Sequence, residues 1–485
     1  MQFVIKYFAE ITIKSKPVRR QFVGQLRKNL SRLLKSVDPQ VQVEAQWDKL
    51  MIETELDEEL VRQQFIEIIS NTPGIAYFLD VVEYPLVDIH DVYEKTLTLH
   101  GASLAGKTFV VRCKRVGQHD FKSGDVEQYV GGGLNQNTAA AGVDLRNPDI
   151  TVRLEIRGDR LFIVNQRYQG LGGFPMGALD PVLSLMSGGF DSTVASYLTM
   201  KRGLRTHFLF FNLGGHAHEV GVKEVSLYLW QKYAASHRVK FIAVPFEDVV
   251  GEILQKVDNS QMGVILKRMM LRAGSRIAAE LGVQALVTGE SVAQVSSQTL
   301  TNLAVIDSVT DTLVLRPLIT SDKTDIIRIA ARIGTEEFAA NMPEYCGVIS
   351  VKPTTKARPE KIEREESKFD FDVLERAIAD ARSYNINEID LSEEQAPDVE
   401  SLAAPLAYSV VVDVRHPGEQ ELKPLNLASN EVMHIPFYEL HRKFAELDMD
   451  KIYMLYCDKG VMSRLHASHL KQEGYDNVRV YRPSS

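Results

Sequence analysis

The stretch 183–192, which reads LSLMSGGFDS, constrains the fold more than any other part of this chain. The apolar run 182–186 is typical of a short buried strand, and apolar residues at helical spacing follow Ser192. Two adjacent glycines between a strand and a helix allow backbone N–H groups to point at an anion. The stretch therefore predicts a phosphate-binding loop, and the plainer alternative is an ordinary glycine turn.

The residues of this loop narrow the type of phosphate site. No Gly-Lys-Ser/Thr follows the glycines, so the loop is not of the Walker type. Ser187, Gly188, Gly189, Asp191 and Ser192 occupy the fixed positions of a Ser-Gly-Gly-x-Asp-Ser pattern, which resembles the PP-loop of ATP pyrophosphatases. Enzymes of that family split ATP between its α and β phosphates and adenylate an oxygen of their substrate. The resemblance implies that this stretch binds ATP.

Length and composition set the broad class. A chain of 485 residues predicts three or four domains, and 45% hydrophobic with 25% charged residues is typical of globular protein. No stretch has the length and apolarity of a membrane span, and the N-terminus reads as a strand rather than a signal peptide. Three widely spaced cysteines favour a reducing compartment. We expect a cytoplasmic protein with no membrane partner.

The charge distribution is uneven. The net charge is −8, yet residues 1–40 contain nine Lys/Arg and two acidic residues, a local charge of +7. A basic end on an acidic chain is an electrostatic footprint for a polyanion. The same residues also fit the solvated face of an amphipathic helix whose apolar stripe includes Phe22, Leu26 and Leu30. Both interpretations stay open from the sequence.

Two α+β units are predicted before the loop. Residues 1–75 alternate strand and helix patterns and predict a ferredoxin-like domain. In residues 76–168 a strand pattern leads into Lys114, Arg115 and Lys122, and three glycines at 131–133 open a predicted helix. This part resembles a THUMP domain, an RNA-binding module of tRNA-modifying enzymes, which implies that the three cations contact RNA. A plain loop and helix start is the alternative.

Residues 169–350 alternate strand and helix patterns, which predicts a doubly wound parallel sheet with ligands at the carboxyl ends of its strands. Read singly, Gly289 fits a turn, and Lys267 and Lys323 fit surface charges. Their order resembles that of the PP-loop enzymes that thiolate tRNA, which implies a set of nucleotide contacts. These residues are Leu185, Met186, Ser187, Gly188, Gly189, Asp191, Ser192, Lys267, Gly289 and Gln298. The resemblance also implies that Asp191, acting through Mg²⁺, and Lys323 support catalysis.

The end of the chain contains a second predicted site. Residues 351–403 are rich in charge and predict a linker with one helix at 372–382, either solvated or docked on a neighbouring domain. In residues 404–485 an apolar strand ends in Asp413 and Arg415, and another leads into Cys457 before a helix. N–H donors at a helix start favour a thiolate, and a buried structural cysteine is the alternative. The Asp-Val-Arg and Cys-x-x-Gly-x-x-Ser/Arg patterns resemble a rhodanese domain, whose cysteine carries a persulfide.

The combination of an ATP site, an RNA module and a persulfide carrier resembles the family of bacterial tRNA 4-thiouridine synthetases, or tRNA uracil 4-sulfurtransferases. The resemblance implies that ATP adenylates the 4-oxygen of a tRNA uridine and that sulfur from a Cys457 persulfide replaces this oxygen. A cysteine desulfurase would supply the sulfur. Cys346 would then form a disulfide with Cys457, to be reopened by a thiol reductant. The family also delivers sulfur for the thiazole of thiamine, which implies a sulfur carrier protein of thiazole synthesis as a partner.

Other classes of protein explain less of the chain. A PP-loop synthase making GMP or NAD would have no use for Cys457, and an iron–sulfur tRNA thiolase normally contains Cys-x-x-Cys, which is absent. A non-catalytic RNA adaptor would not need Asp191 or Ser192. A pure sulfur carrier for thiazole formation is the closest rival, and it leaves the RNA module unexplained.

Histidine pairs and the remaining cysteine carry no predicted chemistry. The pairs His216/His218 and His466/His469 have metal-ligand spacing, but we expect no acidic or cysteine side chain to complete either set of ligands. We therefore expect surface or loop histidines and no metal site built on them. Cys113 lies in an apolar strand pattern and is expected to be a core residue.

Overall fold

The computed structural model describes residues 1–485 apart from 47, 214, 341, 343–349, 351, 390–398, 416–419, 421–422, 428, 437–439, 441–442, 458–460 and 484–485. The chain forms two compact units, residues 1–178 with 201–203 and residues 179–200 with 204–485. Within the described ranges, no helix combines the length and the apolar composition that a membrane crossing requires.

The described strands of the first unit form a single sheet, with helices in the intervening segments. The strands are β1 (Gln2–Tyr7), β2 (Gln42–Ala45), β3 (Lys49–Glu53), β4 (Ile75–Pro85), β5 (Thr108–Val116), β6 (Gly142–Val143), β7 (Ile150–Arg157) and β8 (Arg160–Gly172). The helices are α1 (Ala9–Thr12), α2 (Lys16–Leu34), α3 (Glu59–Ser70), α4 (Ile89–His100) and α5 (Ser123–Asn137). The strand order is β2-β3-β1-β4-β8-β7-β5-β6. Strand β4 pairs with β1 on one side and β8 on the other, so the two predicted α+β units share one sheet.

Helix α5 departs from the predicted position of the three glycines. It begins at Ser123, so the glycines at 131–133 lie inside the helix rather than at its start. The buried stripe Val126, Val130 and Leu134 holds the helix on the sheet despite the low helix propensity of glycine. A Cβ at Gly133 would lie 2.5 Å from the ring of Tyr93 in α4. Glycine at this position therefore allows α4 and α5 to approach closely.

The second unit begins with a six-stranded sheet of the doubly wound type. Its strands are β9 (Leu179–Leu185), β10 (Leu204–Asn212), β11 (Lys240–Pro245), β12 (Ala285–Val287), β13 (Leu313–Leu315) and β14 (Arg382–Asn385), in the order β13-β12-β9-β10-β11-β14. Its helices are α6 (Phe190–Lys201), α7 (His216–Leu229), α8 (Glu247–Lys256), α9 (Met262–Glu280), α10 (Leu300–Asp307), α11 (Lys323–Ile333), α12 (Glu336–Ala340), α13 (Pro359–Glu366) and α14 (Phe371–Ala379). The pairs among β9 to β13 are parallel. Their carboxyl ends therefore meet at one edge, where the loops gather.

The predicted linker is largely part of this domain. Helices α13 and α14 contribute Ile362, Leu374 and Ile378 to the core beneath α8 and α9, and the turn between the two helices adds Phe369. Strand β14 extends the sheet by pairing antiparallel with β11. Apart from the buried Glu365 and Glu366, the charged residues of α13 and α14 lie on the outer faces of amphipathic helices, so the composition of the segment hid a buried stripe. From α13 to β14, the segment that was expected to be a linker is therefore an integral part of this domain.

The end of the second unit has its own five-stranded parallel sheet. Its strands are β15 (Ser401–Leu402), β16 (Val410–Asp413), β17 (Val432–His434), β18 (Tyr453–Tyr456) and β19 (Val478–Tyr481), in the order β15-β19-β18-β16-β17. Helix α15 (Val461–Gln472) follows β18. The apolar residues of β16, β18 and α15 share one core, which positions the β18–α15 loop at the carboxyl edge of the sheet.

Candidate active site

The loop between β9 and α6 is closed by its own side chains. Ser192 Oγ accepts a hydrogen bond from Ser187 N at 3.1 Å and lies 3.0 Å from Ser187 Oγ. Gly188 has φ +80°, a conformation that glycine adopts without strain. A Cβ at Gly188 would lie 2.5 Å from Met342 Cε, so a side chain here would also displace Met342. The loop is thus a tight turn at the start of α6, where unpaired helix N–H groups favour an anion.

The buried His218 contacts the backbone of this loop. It is 4% exposed, and its Nε2 lies 3.3 Å from the carbonyl oxygen of Ser187. Burial lowers the pKa of His218 to about 4, so the ring is neutral at pH 7, with Nε2–H the donor to Ser187 O. The expectation that His218 is a surface or loop residue was wrong. His466, 1% exposed in α15, is also buried.

Asp191 is held between two side chains from distant segments. Its Oδ1 accepts from Lys323 Nζ at 2.8 Å, and its Oδ2 accepts from Gln294 Nε2 at 2.7 Å. Lys323 is the first residue of α11, so the structure brings together the two residues that the sequence singled out for catalysis. Gln294 was not among the predicted site residues, because no local pattern in the sequence distinguishes it. Its neighbour Ala293 has φ +62°, a strained conformation that marks this loop as constrained.

Glu290 is a second anchor, to which the sequence assigned no role of its own. This carboxylate is buried and accepts hydrogen bonds from Lys267 Nζ at 2.7 Å, Arg316 Nε at 2.8 Å and Thr288 Oγ1 at 3.0 Å. Burial by itself would raise the pKa of Glu290, but the adjacent Lys267 and Arg316 hold it below its ordinary value. Lys267 is therefore fixed in place rather than free at the surface.

The loop after β12 touches the start of α6 through Gly289. A Cβ at this position would lie 2.5 Å from the carbonyl carbon of Asp191 and 2.6 Å from Ser192 N. No side chain fits, so the glycine is required for the close approach of the two loops. Further along, Gln298 is 8% exposed, and its Oε1 has no hydrogen-bond partner among the described residues. A buried carbonyl of this kind needs a donor to offset its lost hydration.

Cys457 forms a separate site at the end of β18. The sulfur accepts from Ser463 N at 3.3 Å and lies 3.4 Å from Ser463 Oγ, and the residue is 5% exposed. Asp413 and Arg415 form a buried ion pair at the end of the neighbouring β16, with Nη2 and Oδ2 2.6 Å apart. This pair fixes the strand end, and the Arg415 guanidinium lies 5.1 Å from the centre of the Tyr456 ring.

The remaining predicted cysteines lie in different situations. Cys346 is outside the described residues. Met342, four residues before it in the chain, packs against Gly188 of the loop between β9 and α6. Cys113 is half-buried on β5, and burial raises the pKa of its thiol to about 11, as suits a core residue.

The predicted RNA-binding cations occupy one end of β5 and the start of α5. Lys114 and Lys122 are exposed, whereas Arg115 is half-buried. Arg115 Nη1 donates to Gly117 O at 3.0 Å and lies 2.9 Å from His119 Nδ1, so part of its role is to shape that loop. Within the described part of the chain, no group of three or more His, Cys, Asp or Glu is arranged to hold a metal ion.

Family models match successive parts of the chain. The model described as Thiamine biosynthesis protein (ThiI) matches residues 177–371, and a ThiI ferredoxin-like domain matches residues 2–78. A THUMP domain matches residues 87–164, and a Rhodanese-like domain matches residues 398–484. The four matches follow one another in the order expected from the sequence. The first also extends past residue 350 into the segment that had been expected to be a linker.

Whole-chain relatives agree with these matches. A tRNA sulfurtransferase of Pseudomonas aeruginosa (strain UCBPP-PA14) is 58% identical over 484 residues, and one of Azotobacter vinelandii is 57% identical over 486, each covering 100% of both chains.

Solved structures support the same assignment. The crystal structure of a 4-thiouridine synthetase–RNA complex with bound ATP has a TM-score of 0.69 at 27% identity, covering 79% of this chain and 98% of that one. A second structure, PH1313 from Pyrococcus horikoshii Ot3, shares the fold with a TM-score of 0.54 at 17% identity, covering 69% and 100%. The chain therefore belongs to the ThiI family of tRNA sulfurtransferases, with ferredoxin-like, THUMP, PP-loop and rhodanese domains.

Proposed function

We propose that the chain makes 4-thiouridine in tRNA by adenylation followed by persulfide transfer. The uridine 4-oxygen attacks the α-phosphate of ATP, the N3 proton is lost, and pyrophosphate leaves. The terminal sulfur of a Cys457 persulfide then attacks carbon 4, and AMP leaves. Cys346 attacks the sulfur of Cys457, which releases 4-thiouridine and forms a Cys346–Cys457 disulfide. A thiol reductant returns two electrons to reopen this disulfide.

The PP-loop supports ATP as the activating substrate. Its glycines and the start of α6 offer N–H groups to phosphates, and Lys267 adds a fixed positive charge. The unpartnered Oε1 of Gln298 suits a donor such as the adenine amino group. Leu185 ends β9 beside this loop and is half-buried, so it offers apolar surface for the base, and the buried Met186 follows it. The relative solved with RNA and bound ATP supports the same assignment.

Asp191 and Lys323 fit a role in phosphoryl chemistry. Mg²⁺ at such sites commonly takes one or two carboxylates, with phosphate oxygens and waters completing its shell. Asp191 is 23% exposed, and each of its oxygens retains a lone pair beyond the hydrogen bond it accepts. It therefore fits as the protein ligand of Mg²⁺, which would neutralise charge on the phosphates. Lys323 would stabilise charge that develops on the phosphate oxygens.

The Cys457 site supports the sulfur-carrying step. The N–H of Ser463 and the start of α15 favour negative charge on sulfur, which a persulfide nucleophile needs. A cysteine desulfurase would load this sulfur. The role proposed for Cys346 rests on the family resemblance. It is supported by Met342, four residues earlier in the chain, which lies beside the PP-loop. We also propose delivery of sulfur to a sulfur carrier protein of thiazole synthesis, in keeping with the description of the matching family model, and a cytoplasmic location.

The observation that carries the proposal is Asp191, fixed at the PP-loop between Lys323 and Gln294. The test is transfer of ³⁵S from cysteine to unmodified tRNA, with desulfurase, ATP and reductant, comparing wild type with Asp191→Ala and Cys457→Ala. We expect only the wild type to label tRNA, with Cys457→Ala still forming AMP. Label that reaches Cys457 but never tRNA would instead identify a persulfide carrier for thiazole formation.

A further inference from the structure

Arg316 is a buried arginine at the same sheet edge as the PP-loop. It directly follows β13, and its side chain is 12% exposed. The guanidinium donates to two carboxylates at once. Its Nε donates to Glu290 at 2.8 Å, and its Nη1 and Nη2 donate to the two oxygens of Asp307 at 2.9 and 2.5 Å. A forked contact of this kind fixes the plane of the guanidinium as well as its position. Arg316 therefore holds Glu290 and Asp307 in a defined arrangement.

Glu290 passes this constraint to Lys267. Its Oε2 accepts hydrogen bonds from Arg316 and Thr288 Oγ1, whereas its Oε1 accepts from Lys267 Nζ at 2.7 Å. Because Oε2 is already occupied, the carboxylate cannot turn to hold Lys267 through both oxygens. The contact with Oε1 uses one N–H of the ammonium, and a lysine ammonium has three. Lys267 is thus held by one donor and can direct the others at phosphate oxygens.

The charges around Glu290 also favour an anion at Lys267. Lys267 and Arg316 are positive and Glu290 is negative, and the two cations hold the pKa of this buried carboxyl below its ordinary value. A buried carboxylate with a single cation beside it would attract that cation strongly. Because Arg316 shares the charge of Glu290, Lys267 keeps more of its attraction for a phosphate.

The other carboxylate that Arg316 holds leads back to the nucleotide site. Asp307 is the last residue of α10, and the turn Ser296–Gln298 lies just before that helix. Asn302 of α10 is buried, and its Nδ2 donates to the carbonyl oxygen of Ser296 at 2.8 Å. The turn that contains Gln298 is thus fastened to the helix that Arg316 holds at its other end. The network of Arg316 therefore reaches two of the predicted nucleotide contacts, Lys267 and Gln298.

We propose that Arg316 is a positioning residue for ATP, which acts through Glu290 on Lys267. Its Nε, Nη1 and Nη2 each donate to a carboxylate, so Arg316 orients Lys267 rather than binding a phosphate itself. A purely structural ion pair is the alternative, and its loss would lower the free energy of unfolding without weakening the binding of ATP. The inference rests on the proposed use of ATP at the PP-loop.

The test compares Arg316→Met with Arg276→Met in the full-length chain. Arg276 also pairs with a carboxylate, that of Glu375 at 2.9 Å, but at the surface and outside this network. The Kd for ATP is measured by calorimetry, and kcat and KM by release of pyrophosphate in the presence of tRNA. We expect Arg316→Met to raise Kd and KM for ATP about tenfold with little change in kcat, the pattern for lost ground-state binding. Arg276→Met should match the wild type.

A double variant tests the route through Glu290. If Arg316 acts through this carboxylate, Glu290→Gln/Arg316→Met should raise the Kd for ATP no further than Glu290→Gln alone. Independent effects would instead multiply to about a hundredfold, and that result would overturn the inference.

A milder variant covers the case in which Arg316→Met does not fold. Asp307 is 39% exposed, so Asp307→Asn should fold while loosening Arg316, and we expect it to raise the Kd for ATP about threefold. Variants with a lowered melting temperature and the wild-type Kd would identify a purely structural ion pair and overturn the inference. A wild-type chain that does not bind ATP would refute the proposed function itself.

Discussion

The two reactive loops of the second unit share a plan but recruit their partners differently. Each joins the end of a parallel strand to the start of a helix, β9 to α6 for the PP-loop and β18 to α15 for Cys457. Asp191 is bound by Gln294 and Lys323, which are 103 and 132 residues away. Cys457 is bound by Ser463, six residues along the chain. The first site therefore depends on the whole domain, and the second is mainly a property of one loop.

The two sites are therefore expected to respond differently to amino-acid substitutions. At the PP-loop, charges are paired across segments, and removing one member leaves another uncompensated in a partly buried place. At Cys457, the reacting atom is the cysteine sulfur itself, and the N–H of Ser463 only stabilises negative charge on it. Activation and sulfur delivery should therefore fail separately.

The largest effect is expected for Cys457→Ser. The hydroxyl cannot carry a persulfide, so transfer of ³⁵S to tRNA should fall to background. Release of pyrophosphate in the presence of tRNA should persist, because Asp191 and Lys323 are untouched. Cys113→Ser is the matched control and should label tRNA normally. Loss of pyrophosphate release in Cys457→Ser would show that the two sites are not separable.

The next effect is expected for Asp191→Asn, which keeps shape but removes the charge that Lys323 and Gln294 hold. We expect kcat for pyrophosphate release to fall about 10²- to 10³-fold, the scale for losing one preorganised electrostatic group. Persulfide formation on Cys457, measured with ³⁵S-cysteine and desulfurase, should be unchanged. Asp325→Asn removes an exposed carboxylate from the first turn of α11 and should match wild type. Equal activity of the two variants would exclude Asp191 from the reaction.

A smaller effect is expected at Gln294, where two variants distinguish the hydrogen bond to Asp191 from the volume of the side chain. Gln294→Ala removes the donor to Asp191 Oδ2, and we expect a loss of about tenfold or more in kcat with little change in the KM for ATP, since a hydrogen bond to a charged carboxylate contributes about 1.5 kcal/mol or more. Gln294→Glu keeps the size but places a second carboxylate beside Asp191, so it should be worse than Ala. A Glu variant that is more active than Ala would mean that Gln294 only fills space.

The smallest effect is expected at Cys113, which contrasts with the cysteine that reacts. Burial raises the pKa of this thiol to about 11, so its thiolate is scarce at neutral pH and increases as the pH approaches 11. Iodoacetamide at pH 8 should therefore modify Cys113 slowly in the folded chain. Mass spectrometry of the peptide that contains it, over a pH series, measures this. Rapid alkylation at pH 7 would contradict the buried position.

The local parts of both sites could be predicted from the amino-acid sequence. The apolar strand, the paired glycines and Asp191 of the PP-loop are contiguous, and so are β18, Cys457 and the helix after it. The alternation of strands and helices also predicted the doubly wound sheet, and the family models confirm the four kinds of domain. These features can be predicted from short stretches of sequence, because hydrophobic periodicity and turn-forming residues act over only a few positions.

The residues that surround those parts could not be predicted, because they are brought together by the folding of distant segments. Gln294, Glu290 and His218 have ordinary sequence contexts, and their roles follow from which strands lie side by side. Likewise, the charges of 351–389 concealed helices whose inner faces complete the core, and the glycines of α5 proved to be a packing contact. Hydrogen-bond partners that are about 100 residues apart in the chain are brought together by the packing of the sheet and its helices. No local sequence pattern identifies such a pair.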